Sequence, residues 1–293
     1  MPTASRTRAL TSLVLPLVLA LGACSPRRAV EWVLLGHSFE LTRDLAYGPD
    51  PRQRLDVYRP RQGQSGMPVV IFLYGGRWQS GSREQYHLLG DAFAREGVMA
   101  VVPDYRLAPQ VSFPRWVEDA ARAVRWVHDS IGRFGGDPSR IFVVGHSAGA
   151  HTAMLLALDP RYLRAAGVPP AAVRGYAGLS GPVATTWTDP DVQALMGPRE
   201  RWPGTYPLTY ARGDAAPILL LHGGRDRTVN PANAAALAAA IRARGGCAGD
   251  KVYRRLGHVG TVIALSVPRF HLAPVMDDLL GFMRDPRGVA CAR

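Results

Sequence analysis

The chain alternates between short apolar runs and longer stretches in which apolar residues recur three or four positions apart. Segment 55–58, Leu-Asp-Val-Tyr, alternates like a half-buried strand and stops at Pro60. Segment 68–74 is a continuous apolar run, and 98–102, 141–145, 175–179, 218–222 and 252–256 are read as further strands of this kind. Runs bounded by turn residues predict strands buried on both faces. Between them, Trp116, Ala120, Ala123, Val124, Val127 and Ile131 share one face of a helix over 115–133, with Pro114 at its start. Segment 231–244 is an Ala-rich helix that opens on Pro231 and stops at Gly245-Gly246. Strands alternating with helices predict an α/β fold, with a mostly parallel central sheet and helices on both faces.

Three segments depart from this pattern. Residues 1–23 carry Arg6 and Arg8, an apolar run over 9–21 and small residues before Cys24, the form of an export signal. That run is shorter than the roughly 20 residues a membrane-spanning helix needs. Residues 24–50 show no clear period and are read as a linker, which sets the domain at 51–293. Residues 182–212 scatter Trp187, Trp202, Tyr206 and Tyr210 among Pro, Thr and Gly. This insertion is either a small cap-like wall of a substrate pocket or a surface excursion.

At 293 residues and 47% hydrophobic, the chain has material for one core, and its composition excludes disordered, collagen-like and coiled-coil classes. The net charge of +12 raises nucleic acid as a partner. Lys251 is the sole lysine, however, and the arginines are spread out with no run longer than a pair such as Arg27-Arg28. Without a recognition motif, no nucleic-acid partner is expected. Beyond Cys24, the cysteines are Cys247 and Cys291, which in an oxidising compartment can pair as a disulfide or stand as two buried thiols.

The chemistry is carried by Gly145-His146-Ser147-Ala148-Gly149, placed between a predicted strand and an apolar helix-like run over 150–158. Strand, pentapeptide and helix together make a nucleophile elbow, in which small residues permit a sharp, strained turn that lifts the Ser147 hydroxyl above the sheet. A serine needs a base, and the base an orienting acid, downstream in that order. Asp226 lies in the turn after 218–222 and His258 in the turn after 252–256, so they are the candidate acid and base. Asp214 and Asp250 are weaker acids by position, and His146, His151, His222 and His271 are read as structural. The turn Tyr74-Gly75-Gly76-Arg77-Trp78 sits where a second oxyanion donor is needed, so the amides of Gly76 and Arg77 are expected to join that of Ala148. No spacing of Cys, His and carboxylates suggests zinc, and no cofactor is implied.

The ordered set of these segments resembles the α/β-hydrolase superfamily, in its esterase and lipase branch akin to hormone-sensitive lipase and small exported feruloyl and acetyl esterases. Asp104-Tyr105-Arg106-Leu107-Ala108-Pro109 and Phe134-Gly135-Gly136-Asp137-Pro138 extend the match, which covers about residues 55–284. Tyr74 departs from the histidine that usually begins that loop, and Arg77 from a residue that is often small. The resemblance implies an α/β-hydrolase fold and a serine hydrolase acting on a small-molecule carboxylic ester. The kynurenine formamidases are similar too and imply an arylformamidase as the alternative. A peptidase is third, and a non-catalytic binding protein on the same fold is the rival from another class. Leu21-Gly22-Ala23-Cys24 resembles the lipobox of bacterial lipoproteins. With Ser25 following, it implies a lipid anchor on Cys24 at the outer membrane, facing the periplasm. Loss of membrane association in Cys24→Ser would check that expectation.

Overall fold

The computed structural model describes residues 38–291 apart from 185, so the leader and Cys24 lie outside the described residues. Eight strands form a sheet: β1 (Phe39–Ala46), β2 (Arg54–Pro60), β3 (Met67–Leu73), β4 (Met99–Pro103), β5 (Gly136–His146), β6 (Val173–Leu179), β7 (Ile218–Gly223) and β8 (Ala248–Tyr253). Their spatial order is β1-β2-β4-β3-β5-β6-β7-β8. β1 and β2 pair antiparallel, as do β2 and β4, and from β4 through β8 the pairing is parallel. The central strands were legible as apolar runs because helices cover both of their faces. Val69 to Leu73 of β3 and Ile141, Val143 and Val144 of β5 are wholly buried. Each such side chain contributes about 1.5–3 kcal/mol by leaving water.

The helices are α1 (His87–Arg95), α2 (Arg115–Ser130), α3 (Ala148–Leu158), α4 (Pro160–Ala165), α5 (Pro190–Met196), α6 (Ala232–Arg242), α7 (Gly260–Ser266), α8 (Val275–Arg284) and α9 (Pro286–Cys291). α2, α3 and α6 pack on one face of the sheet, and α1, α7 and α8 on the other. Every residue of α3 is buried, so this helix is apolar all round and sits in the middle of its layer. Among the described residues, no helix is long and apolar enough to cross a membrane. Cys247, at the start of β8, and Cys291, at the end of α9, are joined by a disulfide that ties the C-terminal helix to the sheet edge.

The two sheet edges correct the sequence reading. Part of the 24–50 linker is strand β1, so the folded domain begins before residue 51. Its period is masked by an irregularity in pairing between Thr42 and Leu45, where Asp44 has φ 60°, and by the charged residues typical of an exposed edge. The last strand is Ala248–Tyr253 rather than 252–256. Only one side of this edge strand is paired and Val252 is 43% exposed, so hydrophobicity does not mark it. Residues 254–257 are instead the turn that delivers His258. His271 follows a short 3-10 turn.

Candidate active site

Ser147 sits between the end of β5 and the first residue of α3, with φ 54° and ψ −119°, a strained conformation for a residue with a side chain. The strain is imposed by close packing around the elbow. A Cβ on Gly145 would lie 2.2 Å from the Gly149 carbonyl oxygen, and one on Gly149 would lie 2.0 Å from that of Leu73. Helix and strands thus approach within a distance that only glycine allows, and the Ser147 amide is fixed by donating to the Leu179 carbonyl (2.9 Å).

The loops after β7 and β8 bring Asp226 and His258, the expected acid and base, to this serine. Ser147 Oγ lies 2.9 Å from His258 Nε2, and His258 Nδ1 lies 2.8 Å from Asp226 Oδ2. The carboxylate accepts at Nδ1, which leaves Nε2 as the acceptor for the serine proton. Asp226 Oδ1 accepts from the amides of Thr228 and Val229, both at 2.9 Å. Burial alone would raise this carboxyl, but those amides and His258 outweigh it and hold Asp226 below the ordinary carboxylate range. Asp214 is exposed and paired with Arg212, and Asp250 is paired with Arg242 at the sheet edge, so neither reaches His258.

Two further histidines brace this chain. His222 Nε2 donates toward Asp226 Oδ2 (3.1 Å) and the Val229 carbonyl (3.2 Å), and His146 Nε2 donates to the His258 carbonyl (3.1 Å). His151, one turn into α3, donates from Nε2 to the Thr205 carbonyl (2.7 Å). Burial lowers the pKa of all three, to about 4 for His146 and His151, so they are neutral at pH 7. Unfolded, each would titrate near 6.5. A depressed histidine adds stability that is present above pH 6.5 and is lost as the pH falls toward the folded value. The melting temperature is therefore expected to drop between pH 6.5 and about 4, with His146 and His151 each contributing on the order of 1.4 kcal/mol per pH unit and His222 acting in the same direction. Thermal melts at pH 7.5, 5.5 and 4.5 check this, and an unchanged midpoint would contradict it.

The turn after β3 carries the other expected donors. Arg77 and Trp78 have φ 56° and 59°, and Gly76 has φ 125°, an unusual run of left-handed residues. Neither the Gly76 nor the Arg77 amide donates to a backbone carbonyl among the described residues. The Ala148 amide, first in its helix, has no acceptor within the helix. Tyr74 anchors the turn: its hydroxyl donates to Asp104 Oδ1 (2.7 Å), and its carbonyl accepts from the Tyr105 hydroxyl (2.7 Å). Stacking of Tyr74 on Tyr105, with centroids 4.7 Å apart, completes the support.

A cleft of about 240 Å³ opens beside Ser147 and Ala148. The insertion supplies one wall through Pro182, Thr186, Trp187, Thr188, Asp189 and Val192. Arg77 reaches Asp189 across it at 2.9 Å. Grooves of about 830, 600 and 580 Å³ lie elsewhere, but none is lined by Ser147, Asp226 or His258. No group of three or more His, Cys, Asp or Glu among the described residues is placed to hold a metal ion. The sequence reading did not single out Trp187 as a cleft residue, although the aromatic content of the insertion was the available signal.

The model of the prolyl oligopeptidase family matches residues 115–284, more than half of the chain and including Ser147, Asp226 and His258. The chain belongs to this family, within the α/β-hydrolases. The BD-FAE family model matches residues 55–164, the half of the fold that carries the β3 turn and the elbow. Among curated proteins, the chain is 31% identical over 261 residues to the esterase LipQ of Mycobacterium tuberculosis (strain ATCC 25618 / H37Rv), covering 82% of this chain and 62% of that protein. It is 36% identical over 148 residues to a probable isoprenylcysteine alpha-carbonyl methylesterase of Oryza sativa subsp. japonica, covering 49% of this chain and 36% of the relative. The chain thus spans between about a third and about three fifths of the length of these relatives. A truncated carbohydrate esterase from gut microbiota shares the fold, with a TM-score of 0.72 at 19% identity over 85% of this chain and 97% of that one.

Proposed function

We propose that the protein is a carboxylic ester hydrolase that forms an acyl-enzyme on Ser147. The observation that carries this reading is the unbroken chain from Ser147 Oγ through His258 to Asp226, set beside the Ala148 amide, which has no acceptor within α3. In this reading, Ser147 Oγ attacks the ester carbonyl carbon while His258 Nε2 takes its proton. The oxyanion that develops is met by the amides of Ala148 and of Gly76 or Arg77, aided by the helix N-terminus. The carbon–oxygen bond to the alcohol then breaks, and His258 returns the proton to the departing oxygen. Water, deprotonated by the same imidazole, attacks the acyl carbon, and the acid leaves as the Ser147 hydroxyl is restored. Asp226 holds the imidazole in the required tautomer and stabilises its cation. The esterases among the curated relatives support the same substrate class.

The test is turnover of p-nitrophenyl acetate by a form beginning at Ser25, with N-formylkynurenine as the competing substrate. The expected result is ester hydrolysis with a higher kcat/KM than for the formamide. A preference for the formamide would favour an arylformamidase, and a folded protein inert to both would favour a binding protein.

A further inference from the structure

The cleft beside Ser147 has a direction. In the ester reading, on which this inference rests, His258 must hand its proton to the departing alcohol oxygen, so the alcohol leaves on the His258 side of the serine. His258 does not line the 240 Å³ cleft, whereas Ser147 and Ala148 do. The cleft is thus placed to receive the acyl group. Its volume is below the roughly 300–1,000 Å³ of sites that enclose drug-sized ligands.

The apolar part of its lining is Trp78 and Trp187 with Ala148, Pro182, Val192 and Val229, and the two indoles are its largest side chains. Trp78 comes from the β3 turn and Trp187 from the insertion, with ring centroids 5.8 Å apart and planes at 88°. They are 2% and 6% exposed. Both are packed against other rings. Trp116 stacks behind Trp78, with centroids 5.6 Å apart, and the His151 ring meets Trp78 and Trp187 at 5.1 and 5.4 Å. Trp187 Nε1 also donates to Thr205 Oγ1 (2.6 Å), while the Thr205 carbonyl accepts from His151 on α3. The rotamer of Trp187 is therefore held from the helix that Ser147 precedes.

We infer that Trp187, braced against Trp78, determines acyl specificity: it closes the acyl cleft and restricts the protein to short acyl esters, about butyryl and smaller. The wall is rigid, so a longer chain is excluded instead of being accommodated by side-chain rearrangement.

The experiment measures kcat/KM for p-nitrophenyl acetate, butyrate and octanoate with wild type, Trp187→Phe and Trp187→Ala. Wild type is expected to lose at least tenfold between butyrate and octanoate. Trp187→Ala should raise the octanoate-to-acetate ratio at least tenfold, with Trp187→Phe in between. Wild type that hydrolyses octanoate as well as butyrate would overturn the inference, as would a folded Trp187→Ala with an unchanged ratio. If Trp187→Ala does not fold, the wild-type profile and the relative rates of inactivation by p-nitrophenyl methyl- and octylphosphonates decide it. Faster methyl inactivation supports the wall, and equal rates contradict it. Absence of Ser147-dependent turnover with every ester would instead remove the ester reading beneath it.

Discussion

Ser147→Ala is expected to lower kcat for p-nitrophenyl acetate by roughly 10⁴–10⁶-fold while leaving the protein folded. The loss is large because the base is aimed at this hydroxyl: His258 Nε2 lies 2.9 Å from Ser147 Oγ. What survives is the contribution of the oxyanion donors and of binding, which alone accelerate attack by water modestly. Folding should be retained because alanine keeps the hydrogen bond from its backbone N–H to the Leu179 carbonyl and adds no bulk where the two glycines allow close approach. The strained backbone supplies an independent readout. Serine at φ 54° costs about 1–3 kcal/mol, so Ser147→Gly should be as inactive as the alanine variant yet melt above wild type. Substantial turnover by Ser147→Ala would mean that the nucleophile lies elsewhere.

Asp226→Asn should lower kcat by roughly 10³–10⁴-fold, whereas Asp214→Asn should change it less than twofold. The asparagine oxygen can still accept from the Thr228 and Val229 amides that fix Asp226 Oδ1. Its amide nitrogen then faces His258 Nδ1 and His222 Nε2, which both need an acceptor at that position. His258 relieves the conflict by moving its proton to Nε2, where it can no longer accept from Ser147. Asp214 carries an exposed pair with Arg212 and touches none of this. Steady-state rates for the two variants, with circular dichroism to confirm folding, separate the candidates. Equal effects would contradict the assignment.

The parts of the fold that could be read from the sequence are those whose residues face the same surroundings on every side. The β3, β5 and β7 runs are apolar because both faces are covered, and the elbow is marked by glycines that a backbone approach near 2 Å requires. The edges were misread for the complementary reason. β1 and β8 are half-exposed, so their pairing and not their hydrophobicity defines them, and an irregularity hides the period of β1. In the site, Ser147, Asp226 and His258 stand at strand ends and follow a fixed order along the chain, which local pattern displays. The bracing by His146 and the wall made by Trp187 depend on contacts between segments far apart in sequence. Trp187 is held by Thr205 and ringed by His151 and Trp78, and no spacing in the chain announces that arrangement.

The most direct test of an acyl-enzyme on Ser147 is to trap it. Protein treated with p-nitrophenyl diethyl phosphate and digested should yield one diethylphosphorylated peptide, with the group on Ser147, in proportion to the activity lost. The label should be absent from Ser147→Ala. Full inactivation with Ser147 unmodified, or modification mapped to another residue, would contradict the account.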